Sequence, residues 1–245
     1  MEIWPVFIQY GQKHMIELDM SSIQVSRLQA EGKNVRELKV VNMDFLGNLI
    51  GSATSLINKE LDIPTIEATN NSSARSTAYV PYRNLVFISV LMSYAETVGA
   101  EEVYFGSISE QEYTPSWDTT QEFTDAVNAV SNLNSGTPIH LRSPFAGITK
   151  GEEIQVGKYL DVDYSKTWSS YGVAYNNNRE PLAHNNNVAS AERIRAFARN
   201  GIEDPIQYQE PIDWVELYEK YYPLGHSPVP VESVMEKIEQ NFRSF

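Results

Sequence analysis

The chain has 245 residues, 42% hydrophobic and 11% aromatic, which is ample for a packed core and excludes global disorder. Its formal net charge is −13 with no run of Lys or Arg, which argues against a nucleic-acid-binding surface, because phosphate contacts need clustered cations. The absence of cysteine excludes disulfides, zinc–thiolate centres and thiol nucleophiles, and no stretch approaches the about eighteen apolar residues of a membrane helix.

The N-terminal Met1-Glu2-Ile3-Trp4-Pro5 has neither a basic leader nor an apolar signal core, so the chain reads as cytoplasmic. Residues 3–10 (IWPVFIQY) are rich in β-formers and stop at Gly11, which predicts a buried strand. A helix is expected over 13–31, with Ile16, Met20, Ile23 and Leu28 on one face and Gly32-Lys33-Asn34 ending it. A second strand falls within 35–43, and 45–57 is a looser apolar segment. Residues 63–78, with Asn70-Asn71-Ser72-Ser73, read as a surface loop.

The next helix, 84–99, is apolar at Leu85, Ile88, Leu91, Met92 and Ala95 and closes at Gly99. Residues 102–108 predict a strand, and 119–133 a helix capped by Asp118 or Thr119 with Glu122 in its first turn. A strand follows at 138–142, then a helix at 149–160 whose Thr149 and Glu152 have capping-box spacing. Strands alternating with helices imply a mostly parallel sheet covered on both faces. Beyond 163 the pattern decays into a turn-rich stretch to Asn187, and helices resume at 190–200, 214–222 and 231–245. We therefore divide the chain into an α/β core, 1–163, and a C-terminal region, 164–245.

Two polar blocks, Tyr10-Gly11-Gln12-Lys13-His14 and Val80-Pro81-Tyr82-Arg83-Asn84, stand where strand or loop hands over to helix. In open α/β sheets that edge is where ligands bind. Lys13 and His14 at a helix start could hold a phosphate or carboxylate, or be solvated first-turn residues. Arg83 offers a planar fork for an anion just ahead of a long apolar helix. Lys150, with Arg142, could add to a positive pocket, or be a helix-start lysine in water. Asp118 could orient a substrate amine or magnesium, or be an N-cap. His184, Asn187 and Ser190 keep an i, i+3, i+6 spacing, but an imidazole with an amide and a hydroxyl makes a poor metal site.

Taken in order, these blocks resemble the 7-cyano-7-deazaguanine synthases, ATP-dependent ligases of the PP-loop pyrophosphatase superfamily. The resemblance runs from Phe7 to His14, through Gly51-Ser52-Ala53, Tyr79 to Asn84, Ser93-Tyr94-Ala95-Glu96 and Gly106. It continues through residues 118–123, Ser143-Pro144-Phe145, Thr149-Lys150, Thr167-Trp168-Ser169-Ser170-Tyr171, residues 193–197 and Gly201-Ile202-Glu203-Asp204-Pro205. It implies a three-layer, Rossmann-like α/β sandwich of adenine-nucleotide α-hydrolase type with a helical C-terminal appendage. Such enzymes turn 7-carboxy-7-deazaguanine and ammonia into a nitrile, activating the carboxylate with ATP, on the way to queuosine, archaeosine or 7-deazaguanine marks in phage DNA.

Carried over, Tyr10, Gly11, Gln12, Lys13, His14, Arg83, Asn84 and Gly106 would line the nucleotide and substrate cleft. Lys150 and Arg83 would be the catalytic cations, Lys150 stabilising phosphate or adenylate charge, and Asp118 would help hold the deazaguanine. ATP and magnesium are the expected cofactors. A homodimer is implied by the resemblance alone, and neither membrane nor nucleic acid is an expected partner.

The chain departs from the family in two places. The family opens with a strand and a Ser-Gly-Gly-x-Asp-Ser loop that cradles pyrophosphate, and this chain begins after it. We expect the first β-loop-α unit to be missing, no nitrile from the isolated chain, and either a separate N-terminal fragment as partner or a non-catalytic deazaguanine-binding subunit. The family's structural zinc is held by four cysteines, whose positions here are Ser170, His184, Asn187 and Ser190, so zinc is not expected. Thr120 stands where many members carry Arg. The divergence and the lost cysteines point to a phage source, hence host cytoplasm.

Overall fold

A computed structural model describes residues 1–70, 76–108, 116–223 and 229–243. In chain order the helices and strands are β1 (Val6–Gln9), α1 (Ile16–Ala30), β2 (Lys39–Asn42), α2 (Asp44–Ile50), α3 (Ile66–Asn70), α4 (Arg83–Val98), β3 (Glu102–Tyr104) and α5 (Gln121–Ser131). They continue with β4 (His140–Arg142), α6 (Lys150–Tyr159), β5 (Val173–Tyr175), β6 (Pro181–Ala183), α7 (Val188–Ala198), α8 (Trp214–Tyr221) and α9 (Val231–Arg243). This is a mixed α/β fold with parallel strand pairs, the fold class that the alternating pattern predicts.

The chain divides into two units. The first is made of Met1–Pro81, Asp163–Arg195 and Ile202–Leu217; the second is made of Tyr82–Val162, Ala196–Gly201 and Tyr218–Phe245. In the first, β1 and β2 pair in parallel with Val6 opposite Lys39 and Gln9 opposite Asn42, and α1 makes the crossover. β5 and β6 form an antiparallel hairpin with Val173 opposite Ala183. Ile16, Trp168 and Ala183 pack with Met20, Val173, Ile206 and Tyr208, which joins α1 to the hairpin. Below them Arg193 and Asp204, both buried, form a two-pronged ion pair: Nε and Nη2 donate to the two carboxylate oxygens at 2.6 and 2.9 Å. Thr167 Oγ1 and the Tyr164 carbonyl accept two further guanidinium protons, and Tyr208 donates to Asp204.

In the second unit β3 and β4 pair in parallel, Glu102 opposite His140, with α5 as the crossover. Ile88 and Ala95 of α4, Val103, Phe123 and Val127 of α5, and Ile139 and Leu141 form its core. The Asn128 side chain bonds both the N–H and the C=O of Leu141, fixing α5 along β4. α6 and α9 pack through Ile148, Val156, Val234 and Ile238. Asn241 of α9 donates to the carbonyls of Pro144 and Ala146, holding the loop after β4.

Several boundaries differ from the sequence expectation. α1 starts at Ile16, after Lys13 and His14, because the Lys13 N–H is taken by the Leu56 carbonyl (2.9 Å) and the segment runs as a connecting turn. Ile23, expected on the buried face, is 42% exposed. Within 63–78, α3 interrupts the expected loop, and residues 71–75 lie outside the described residues. β3 ends at Tyr104 rather than Ile108, one further bond (Phe105 N–H to the Arg142 carbonyl) continuing the pairing before Gly106. The cap of α5 is Thr120, whose Oγ1 accepts from the Phe123 N–H, and not Asp118 or Thr119, which lie in a 3-10 turn, Trp117–Thr119. The hairpin β5–β6 falls where only turns were expected. The α6 capping box is present with both of its bonds.

Candidate functional site

In the first unit the block from Tyr10 to His14 leaves β1 through Gly11, whose φ of +89° suits glycine. α2 comes very close to this turn because Gly47 has no side chain: a methyl group there would overlap the Tyr10 carbonyl. The buried Gln12 folds back on the strand. Its Oε1 accepts from the Tyr10 N–H (2.8 Å) and its Nε2 donates to the Ile8 carbonyl (3.2 Å). The bonds to β2 use the carbonyls of Pro5 and Gln9, so by strand alternation residues 8 and 10 point the other way. Gln12 therefore covers the outer edge of β1 as a peptide group of a neighbouring strand would.

Lys13 and His14 do not open α1, as the sequence had suggested. The Lys13 ammonium donates to the Leu61 carbonyl at 2.6 Å. His14 is buried, its Nε2 3.6 Å from the Glu17 carboxylate and its ring 5.9 Å from that of Tyr171. Tyr10 is also buried.

The other candidates belong to the second unit. Arg83 is the first residue of α4 and its Nε donates to Asn84 Oδ1 at 3.3 Å, Asn84 being buried. Tyr82 just before it has a left-handed φ of 51° and meets the Trp117 ring edge-on at 5.4 Å, and Trp117 meets Phe123 at 5.5 Å. This row of rings brings the start of α4 beside the turn that carries Asp118. Asp118 is only 3% exposed and accepts a hydrogen bond from the Ser116 hydroxyl. Gly106 is exposed directly after β3, and Lys150 is the first residue of α6, behind the Thr149 cap.

Arg142 does not stand free to serve an anionic ligand. Its Nε and Nη2 lie 2.9 and 2.8 Å from the same Glu102 oxygen. Partial burial works to raise the Glu102 carboxyl, but hydrogen bonds from Tyr104 and Arg142 prevail and hold it below its ordinary value. Burial, followed by that carboxylate, pushes the Tyr104 phenol up to about 12.

Sequence reasoning missed a buried trio of hydroxyls at the carboxyl ends of β3 and β4. Ser143 Oγ lies 3.3 Å from Ser107 Oγ and 3.1 Å from Thr124 Oγ1. The available signal was a small polar residue close behind each of two parallel strands, where open α/β sheets bind ligands.

The four positions assigned to the family's zinc by resemblance come together in the first unit. The hydroxyls of Ser170 (3.2 Å) and Ser190 (2.6 Å) and the Asn187 amide (3.0 Å) all donate to the His184 carbonyl. Asn187 also donates to Ser170 Oγ at 3.1 Å and accepts from the Ser190 N–H at 3.0 Å. No group of three or more His, Cys, Asp or Glu able to hold a metal occurs among the described residues. No helix among them is long and apolar enough to cross a membrane.

Comparison with known proteins agrees with the resemblance. The family model described as queuosine biosynthesis protein QueC matches residues 1–201. A 7-cyano-7-deazaguanine synthase of Clostridium kluyveri is 33% identical over 216 residues, covering 85% of this chain and 87% of the relative. One of Rickettsia rickettsii is 33% identical over 215 residues, covering 84% and 88%. A 7-cyano-7-deazaguanine synthase 1 of Colwellia psychrerythraea is 30% identical over 209 residues, covering 85% and 88%. The chain belongs to the family of the queuosine biosynthesis protein QueC.

Proposed function

We propose that this chain acts as a 7-cyano-7-deazaguanine synthase, taking a free 7-carboxy-7-deazaguanine and ammonia to the nitrile at the expense of ATP. The observation that carries the reading is the identity to synthases of that name along more than four-fifths of the chain. The second unit offers suitable chemistry at the carboxyl ends of β3 and β4. Asp118 is a buried hydrogen-bond acceptor for ring N–H and exocyclic amine donors, and Ser107, Ser143 and Thr124 are small hydroxyls able to meet a flat polar heterocycle. Arg83 and Lys150 each begin a helix, where cationic side chains and helix N-termini act together on phosphate or carboxylate charge. Bound ATP and magnesium would supply the activation of the carboxylate.

The test is mass spectrometry of the purified chain incubated with 7-carboxy-7-deazaguanine, ammonium and Mg-ATP. ATP-dependent nitrile formation carries the reading and overturns the expectation, stated above, of an inactive isolated chain; Lys150→Ala should then be slowed on the order of a hundredfold, the scale of losing one charge-stabilising group. Binding of the base by calorimetry with no turnover assigns the chain instead to a deazaguanine-binding subunit. The absence of both binding and turnover overturns the reading.

A further inference from the structure

By resemblance, the family's structural zinc would fall at Ser170, His184, Asn187 and Ser190, and these residues do not fit one. Structural zinc takes thiolate and imidazole ligands, with occasional carboxylates. Here the set is two hydroxyls, a neutral amide and one imidazole. Three of these side chains are fully buried, with exposures of 1% (Ser170), 2% (Asn187) and 0% (Ser190), and their polar atoms are already spent on one another and on a backbone oxygen. The His184 side chain is exposed, and its ring lies so close to Gly172 that a methyl group there would overlap it.

We propose that this cluster is a metal-independent clasp that replaces the zinc and uses the His184 carbonyl oxygen as its centre. Like a tetrahedral metal, that oxygen gathers groups distant in sequence: Ser170 ahead of β5, the end of β6, and Asn187 and Ser190 at the start of α7. Asn187 is its critical member because both ends of its carboxamide are used. The oxygen caps α7 through the Ser190 N–H, and the nitrogen bridges Ser170 to the His184 carbonyl. Ser170 Oγ also accepts from the Gly172 N–H at 3.3 Å, which fixes the entry into the hairpin. The hub is a main-chain atom supplied by residue 184 whatever its side chain, so the clasp needs neither cysteine nor metal.

The experiment measures metal content and thermal stability of the full chain, without substrate, so its outcome is independent of whether the synthase reading holds. Elemental analysis should find far less than one zinc per chain, and Tm should be the same in EDTA as in excess zinc chloride. Asn187→Ala should lower Tm by roughly 5–10 °C, since it removes a cap and two buried hydrogen bonds. Ser190→Ala, a milder change, should lower it by roughly 2–5 °C and remain folded if the first variant does not. His184→Ala, which keeps the carbonyl, should change it by less than either. Stoichiometric zinc, a Tm that falls on chelation, or a His184→Ala loss exceeding that of Ser190→Ala would each overturn the proposal.

Discussion

Arg193 and Asp204 show how a single residue pair can be fixed by the fold around it. Both lie in stretches that carry the family resemblance, yet both are buried and satisfied by one another, by Thr167 and by Tyr208. Removing one partner leaves the other charge buried without compensation, which costs far more than the intact pair contributes. Arg193→Ala is accordingly expected to destabilise by about 3–5 kcal/mol, read from urea midpoints. Gly47 is a second such position, because any side chain there meets the Tyr10 backbone rather than a yielding side chain. Gly47→Ala should cost about 1–3 kcal/mol by the same measurement, the range for forced overpacking. The Glu102–Tyr104 pair makes a pH prediction. Tyr104 has its folded-state value raised from 10.0 to about 12, so its contribution is fully present below the unfolded value and is lost as pH rises through the folded one. Stability should therefore fall more steeply between about pH 10 and 12 in the native protein than in Tyr104→Phe. Equal slopes would show that the phenol gains nothing from the fold.

Elements were legible in proportion to their length and their local chemistry. The α6 start could be read directly because a capping box is local: Thr149 and Glu152 satisfy two orphan N–H groups without help from the rest of the chain. Thr149→Ala should cost about 1 kcal/mol, measured by thermal or urea unfolding. α4 was equally clear, with sixteen residues of apolar periodicity ending at Gly99. What failed was non-local. The first turn expected for α1 is absent because the carbonyls of Leu56 and Leu61 take the Lys13 N–H and ammonium. The hairpin β5–β6 has strands of three residues each, too short for alternation to register, and its pairing is fixed by Ser170, Gly172 and His184 from outside the strands. The cap of α5 moved by one or two residues because Thr120 and not Thr119 has the extended backbone that a cap requires.

At the scale of the whole molecule, family and fold class were legible because they are written in many short blocks spread over the chain, whereas the site was legible only as a set of positions. Tyr10, Gln12, His14, Asp118 and Asn84 are buried, a property that no spacing could supply, and Arg142 is engaged by Glu102. The net charge of −13 belongs to no single residue and bears on what the protein can touch. Binding a nucleic acid draws most of its free energy from phosphates neutralised by Lys and Arg, with release of counterions. Here 19 such residues face 32 carboxylates, and among them Arg27, Arg36, Arg142, Arg193 and Lys237 already hold a carboxylate partner. A polyanion approaching this surface meets net repulsion over many phosphates, whereas a free heterocyclic base with a single carboxylate meets far less, and that is the form of substrate the synthase reading requires. Labelled tRNA and duplex DNA should therefore show no saturable anisotropy change at micromolar protein and about 0.15 M salt. Saturable binding that weakens steeply with added salt would reveal a local cationic face despite the global charge, and would move the site of action from the free base to the nucleic acid.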